Sequence, residues 1–182
     1  MENKYLKDRI SIPDNEARNW DIISYSTLCK ENLKEKISEK EIIESYVHSI
    51  ECLFNAFEFE KNISPGIIVF RTNQVIFPLL YSCRHSIELS LKYYFNKMNL
   101  QKISGHKLIK IFNNIPQESR KKLEKYKELI ESMDLLDNDG CKFRYSTDSK
   151  GQKYNDNPQF VNTKLIIKDT IQFCKKIISE IY

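Results

Sequence analysis

Residues Val75–Asn96 read VIFPLLYSCRHSIELSLKYYFN, an apolar run that nevertheless carries Arg84, His85, Glu88 and Lys92. A helix that is apolar on most of its sides belongs in a protein interior. Ionisable groups on such a helix must be paired, reach solvent, or serve a chemical purpose. Arg84, Glu88 and Lys92 recur at i, i+4 and i+8, so their side chains climb one face. His85 stands beside Arg84 and three residues before Glu88.

Working outward from this run, helical spacing continues on both sides. Ser38 is a good N-cap, and Glu41 three residues later completes a capping box. Ile43, Tyr46/Val47, Ile50, Leu53/Phe54 and Phe57 then predict an amphipathic helix from Glu39 to Lys61. Ile63-Ser64-Pro65-Gly66 breaks it, and the central helix is expected from Ile67 to Met98. Pro78 either kinks that helix or marks its true start.

Downstream, Ser104-Gly105-His106 opens a short helix over Lys107–Asn114, with Leu108, Ile111 and Phe112. Pro116 starts the next, whose stripe of Leu123, Tyr126, Ile130 and Met133 ends near Asp137. The segment from Asp137 to Phe160 is rich in Gly, Asp, Asn and Ser, and long connections of this kind are often functional. Ile167, Ile171, Cys174, Ile177/Ile178 and Ile181 predict a last helix over Val161–Ile181. Residues 1–37 lack a steady period. They read as an N-terminal arm, with Pro13, a Trp20 anchor and a short helix over Ser24–Lys36, packing on a body of residues 38–182. Mostly short links between helices imply an all-α, antiparallel helical bundle.

Composition agrees. The 182 residues suffice for one domain with a real core, and only 4 Gly and 5 Pro beside 30% charged residues favour helices. Five scattered cysteines, without a C-x-x-C pair, indicate reduced thiols in a cytosolic protein. The start MENKYLKDRI lacks the apolar segment of a signal peptide. No apolar run approaches the ~20 residues that span a bilayer, so a cytoplasmic protein without a membrane partner is expected. The net charge of +4 is modest, but Lys92–Lys127 holds ten Lys/Arg against two acids, whereas Glu31–Lys61 holds eight acids against four Lys. A basic sector attracts phosphate backbones. A solvated lysine-rich face gives the same count.

Three polar clusters carry the candidate chemistry: the RHxxExxxK face, Gly105-His106-Lys107-Leu108, and FRYSTDSKG from Phe143 to Gly151. In a bundle, the middle of one helix, the start of the next and a later loop can meet at one end. They would bring together two imidazoles, two guanidiniums, a carboxylate and a tyrosine, a set suited to a phosphate-containing ligand. The first two have a plainer reading. Arg84 and Glu88 are spaced as a helix-surface ion pair worth ~0.3–0.5 kcal/mol. His106 suits a helix start as a capping residue, and His48 lies on a polar face. His85 and His106 lack an H-x-x-x-H or cysteine partner, and no phosphate-loop, dinucleotide or nucleophile-elbow motif is present, so neither metal nor cofactor is expected.

YSCRHSIELSLKYYF, GHKLIKIF and FRYSTDSKG together resemble bacterial HEPN-domain proteins, over roughly Val75–Gly151. That group shows a helix reading R-H-x-x-E-L-x-x-K, then G-H-x-L, then F-R-Y-P-x-D-x-x-G; here Ser146 holds the proline position. The resemblance implies a small all-α bundle that dimerises. It also implies a metal-independent endoribonuclease of a toxin–antitoxin or phage-defence system, acting on RNA such as tRNA or mRNA, with an antitoxin or defence protein as partner. The usual signature is R-x4-6-H. Arg84 and His85 match its arginine and polar follower, but Leu89, Ser90 and Leu91 stand where the second histidine belongs.

On this resemblance, Arg84, His85, Glu88 and His106 form the expected catalytic set. Arg84 would steady phosphoryl charge, His85 or His106 would move protons, and Glu88 would orient one of them. Lys92, Arg144, Tyr145, Asp148 and Lys150 are the expected substrate contacts. Arg84→Ala would then abolish toxicity in a protein that stays folded. The missing histidine leaves open a second reading, a non-catalytic module that binds nucleotide, RNA or a partner protein.

Overall fold

The computed structural model describes residues 37–63, 75–101, 103–145, 147, 150–153 and 161–180. The chain divides into two units, Met1–Ile37 and Ser38–Tyr182. The expected arm, with Trp20 and the helix over Ser24–Lys36, lies outside the described residues.

The body is an all-α bundle of α1 (Glu39–Ile63), α2 (Ile76–Lys97), α3 (Leu108–Asn113), α4 (Gln117–Leu123), a 3-10 turn (Glu124–Tyr126), α5 (Lys127–Leu136) and α6 (Thr163–Glu180). No strand occurs among the described residues; Thr147 and Lys153 form one isolated antiparallel bridge.

α1 begins with the capping box written in its sequence. The Ser38 N–H donates to Glu41 Oε2 at 2.7 Å, and the Glu41 N–H donates to Ser38 Oγ at 3.2 Å. These bonds hold the Glu41 carboxyl below its usual range, because Ser38 donates to the charged form. Ile43, Val47 and Ile50 are buried on the inner face.

α2 is the central helix, packed against α1, α3 and α6. Leu79, Leu80, Cys83, Ile87, Leu91, Tyr93, Tyr94 and Phe95 are buried, and so are Arg84 and Glu88 between them. Val75 stands just outside its first turn, while the expected residues 67–74 lie outside the described residues. Pro78 therefore marks the start of α2, where the missing N–H has no helical acceptor to lose. The helix ends in a Schellman turn. Asn99 takes φ +52°, its N–H donates to the Asn96 carbonyl, and the Leu100 N–H donates to the Phe95 carbonyl.

The single helix expected from Pro116 to Asp137 is instead two helices around a 3-10 turn. Leu123, Tyr126, Ile130 and Met133 still share one buried face, because their 3-4-3 spacing fits either arrangement. The turn sets Tyr126 edge-on against Phe173 of α6, with ring centroids 5.3 Å apart. On α6, Ile167, Thr170, Phe173, Cys174, Ile177 and Ile178 are buried, Ile171 is half-buried, and Ile181 lies outside the described residues.

Two connections matter for the site. The Leu108 N–H, at the start of α3, donates to Asp134 Oδ1 of α5 at 2.6 Å, which anchors the Gly105-His106-Lys107 entry. After α5 the chain turns sharply through Asp137–Gly140, and Gly140 adopts φ +77°.

Candidate functional site

Arg84 is the middle of the site and is only 1% exposed. Each of its three guanidinium nitrogens makes a hydrogen bond. Nε donates to the Asp137 carbonyl at 2.6 Å, Nη1 to Glu88 Oε2 at 3.0 Å, and Nη2 to the His106 carbonyl at 2.6 Å. Asp137 Oδ2 lies 3.7 Å from Nε, so a second buried carboxylate flanks the cation. A Cβ at Gly140 would sit 3.0 Å from Nη1, so the glycine closes this side of the pocket. Arg84 thereby binds α2 to the entry of α3 and to the turn after α5.

Glu88, 3% exposed, meets three nitrogen-bearing side chains. Oε2 takes Arg84, while Oε1 accepts from Lys92 Nζ at 2.7 Å and meets His106 Nδ1 at 2.9 Å. Burial pushes the Glu88 carboxyl up, but hydrogen bonds and charge from Lys92 and His106 outweigh it and hold the group below its usual range. Glu88 is therefore ionised at neutral pH and can only accept, so His106 Nδ1 must be the donor. That leaves Nε2 as the basic nitrogen of an imidazole whose side chain is 64% exposed. A buried carboxylate fixing the tautomer of an accessible imidazole is the arrangement that prepares a histidine for proton transfer. Lys92, 35% exposed, places an ammonium beside it.

His85 is half-buried on the neighbouring face of α2 and lies in an aromatic ladder. Its ring meets Tyr46 of α1 edge-on at 4.8 Å and stacks on Tyr81 at 5.5 Å with 12° between planes. Burial lowers its pKa first; Glu88 opposes this, while the positive charges of Arg144, Arg84 and Lys92 add to it. His85 is thus held as the neutral base. Beyond Tyr81 comes the exposed Arg144, its guanidinium carbon 5.2 Å from the Tyr81 ring centre and 5.2 Å from that of Tyr145. Arg144 Nε donates to the Gly140 carbonyl at 2.9 Å.

The site therefore has two parts joined at Gly140. Arg84, Glu88, Lys92 and His106 form one cluster; His85, Arg144 and Tyr145 belong to the ladder. Lys150 is exposed in the turn between Thr147 and Lys153, and Asp148 lies outside the described residues. Arg84, expected to meet phosphate, is enclosed by protein groups in this structure. His48 is exposed and lies 3.6 Å from Cys52 Sγ on its own helix.

Sequence reasoning passed over Asp137, Asp134 and Gly140. Only an acid at the end of an apolar helix, followed closely by a glycine, could have signalled them. Among the described residues no group of three or more His, Cys, Asp or Glu is placed to hold a metal, and no helix is long and apolar enough to cross a membrane.

Residues 78–181, more than half of the chain, match the family model of the HEPN domain, a span that holds both parts of the site. No curated protein and no solved structure matches the chain.

Proposed function

The chain belongs to the HEPN domain family, and on that premise we propose that it is a metal-independent endoribonuclease of a bacterial toxin or phage-defence system. The observation that carries this reading is the His106–Glu88 pair, with Nδ1 held at 2.9 Å by an ionised carboxylate and Nε2 left basic. In this reaction Nε2 takes the proton of a ribose 2′-hydroxyl. The 2′-oxygen attacks the adjacent phosphorus, and the 5′-oxygen leaves, giving a 2′,3′-cyclic phosphate and a 5′-hydroxyl. Lys92 meets the charge that builds on the phosphoryl oxygens. Arg84 is a positioning residue: it fixes Glu88 and, through the His106 carbonyl, the backbone that carries the imidazole. A homodimer would set two such faces on one RNA, and the second copy's imidazolium would return a proton to the departing oxygen.

The test is cleavage of total RNA and tRNA in EDTA by wild type, His106→Ala and His106→Gln. Cyclic-phosphate ends that vanish in both variants, with the melting temperature kept, support the proton role. Undiminished cleavage by His106→Ala overturns it.

One observation favours a second reading. Arg84, the residue matching the family arginine, has all three nitrogens bonded within the protein. A non-catalytic module that binds RNA or a partner protein would need the arginine only in that supporting role. RNA retained in a gel shift and left uncut by wild type decides for it.

A further inference from the structure

Away from the Glu88–His106 pair, the loop after α5 carries an exposed aromatic surface around Arg144. Resting on the RNA reading above, we infer that Tyr145, Arg144 and Phe77 form a stacking surface for unpaired bases, so that the chain grips RNA as a single strand.

Phe77 and Tyr145 are 49% and 57% exposed, so neither ring is placed to fill the core. Phe77 stands in the first turn of α2 against Phe143, with centroids 6.5 Å apart, which ties the helix to the loop bearing Arg144 and Tyr145. Behind Tyr145 the order is Arg144, Tyr81, His85 and Tyr46, each in ring or cation–π contact with the next. The exposed end is thus backed by a ladder that reaches inward to α1. An aromatic ring held in this way loses little freedom when a base stacks on it.

Arg144 supplies the charge. Among the described residues its guanidinium meets no carboxylate; its partners are the Gly140 carbonyl, Cys141 Sγ and the two tyrosine rings. A cation fixed between rings suits the phosphate that follows a stacked base. Alternating aromatic and cationic contacts are how single strands are held without reading a groove. A duplex keeps its bases within its own stack and offers this surface only phosphates.

Anisotropy with labelled 2′-O-methyl strands tests the inference, because these lack the attacking hydroxyl and report binding alone. Three probes of about 12 nucleotides are compared: oligoadenylate, the same backbone without bases, and a duplex. Wild type should bind oligoadenylate about tenfold or more tightly than the abasic strand or the duplex. Tyr145→Ala and Phe77→Ala should each shrink that preference while leaving abasic binding unchanged, and Tyr145→Phe should keep it. Equal affinity for oligoadenylate and the abasic strand, or Tyr145→Ala with wild-type preference, overturns the stacking surface and leaves the RNA reading standing. Binding to none of the three overturns both.

Discussion

His106 Nδ1 lies 2.9 Å from Glu88 Oε1, and the carboxylate at that distance decides which imidazole nitrogen can act as a base. Neutral His106 should therefore be the Nδ1–H tautomer, the minority form for an unconstrained histidine. Nitrogen chemical shifts of the two ring positions will show it. In Glu88→Gln the two tautomers should come closer to balance; an unchanged pattern would remove Glu88 from the orienting role.

Arg84→Ala should leave Glu88 and Asp137 buried without their shared cation. Breaking a buried pair from one side costs about 3–5 kcal/mol. Urea titration should show a loss of that size, whereas His106→Ala, at an exposed side chain, should change stability by less than about 1 kcal/mol. This revises the expectation that Arg84→Ala stays folded while losing toxicity. Loss of activity in that variant reports the fold along with the chemistry, and His106 is the cleaner probe.

Gly140 and Gly151 share φ +77°, but only Gly140 has a neighbour where a Cβ would go, with Arg84 Nη1 at 3.0 Å. Gly151→Ala should cost about 1 kcal/mol for its backbone conformation alone. Gly140→Ala adds a clash with a guanidinium locked by three hydrogen bonds, and should cost roughly 2–4 kcal/mol. Melting temperatures of the two variants, side by side, separate the terms; equal losses would mean that Arg84 yields easily.

Acid should weaken the fold in two stages. His85 is held below its ordinary value of 6.5, so the folded state resists its protonation; this contribution is present above pH 6.5 and drains as pH falls below it. Glu88 is held below its ordinary value of 4.5, so its contribution is intact above that pH and is lost as pH falls through the folded value. Urea midpoints across a pH series should fall in both windows. His85→Phe, which keeps a ring between Tyr46 and Tyr81, should abolish the first stage and spare the second.

Much of the bundle was legible because its signals are local. The Ser38–Glu41 capping box, the i, i+4, i+8 ladder of Arg84, Glu88 and Lys92, and the described part of the α1 and α6 stripes appear in the structure as written. What spacing could not convey was depth. An Arg–Glu pair at i, i+4 looks the same on a surface as in a core, and here burial comes from elements 22 and 53 residues away, the His106 and Asp137 carbonyls. The break between α4 and α5 was hidden for a related reason: the turn preserves the apolar face that a straight helix would have shown.

Glu88 answers to three side chains of very different depth. Arg84 is sealed inside, whereas Lys92 and His106 reach solvent. Losing His106 leaves the carboxylate with two cationic neighbours, so no orphan charge remains to unseat the fold. The fold is thereby held from inside, by a pair that solvent does not reach, and a change at residue 106 should leave the architecture standing.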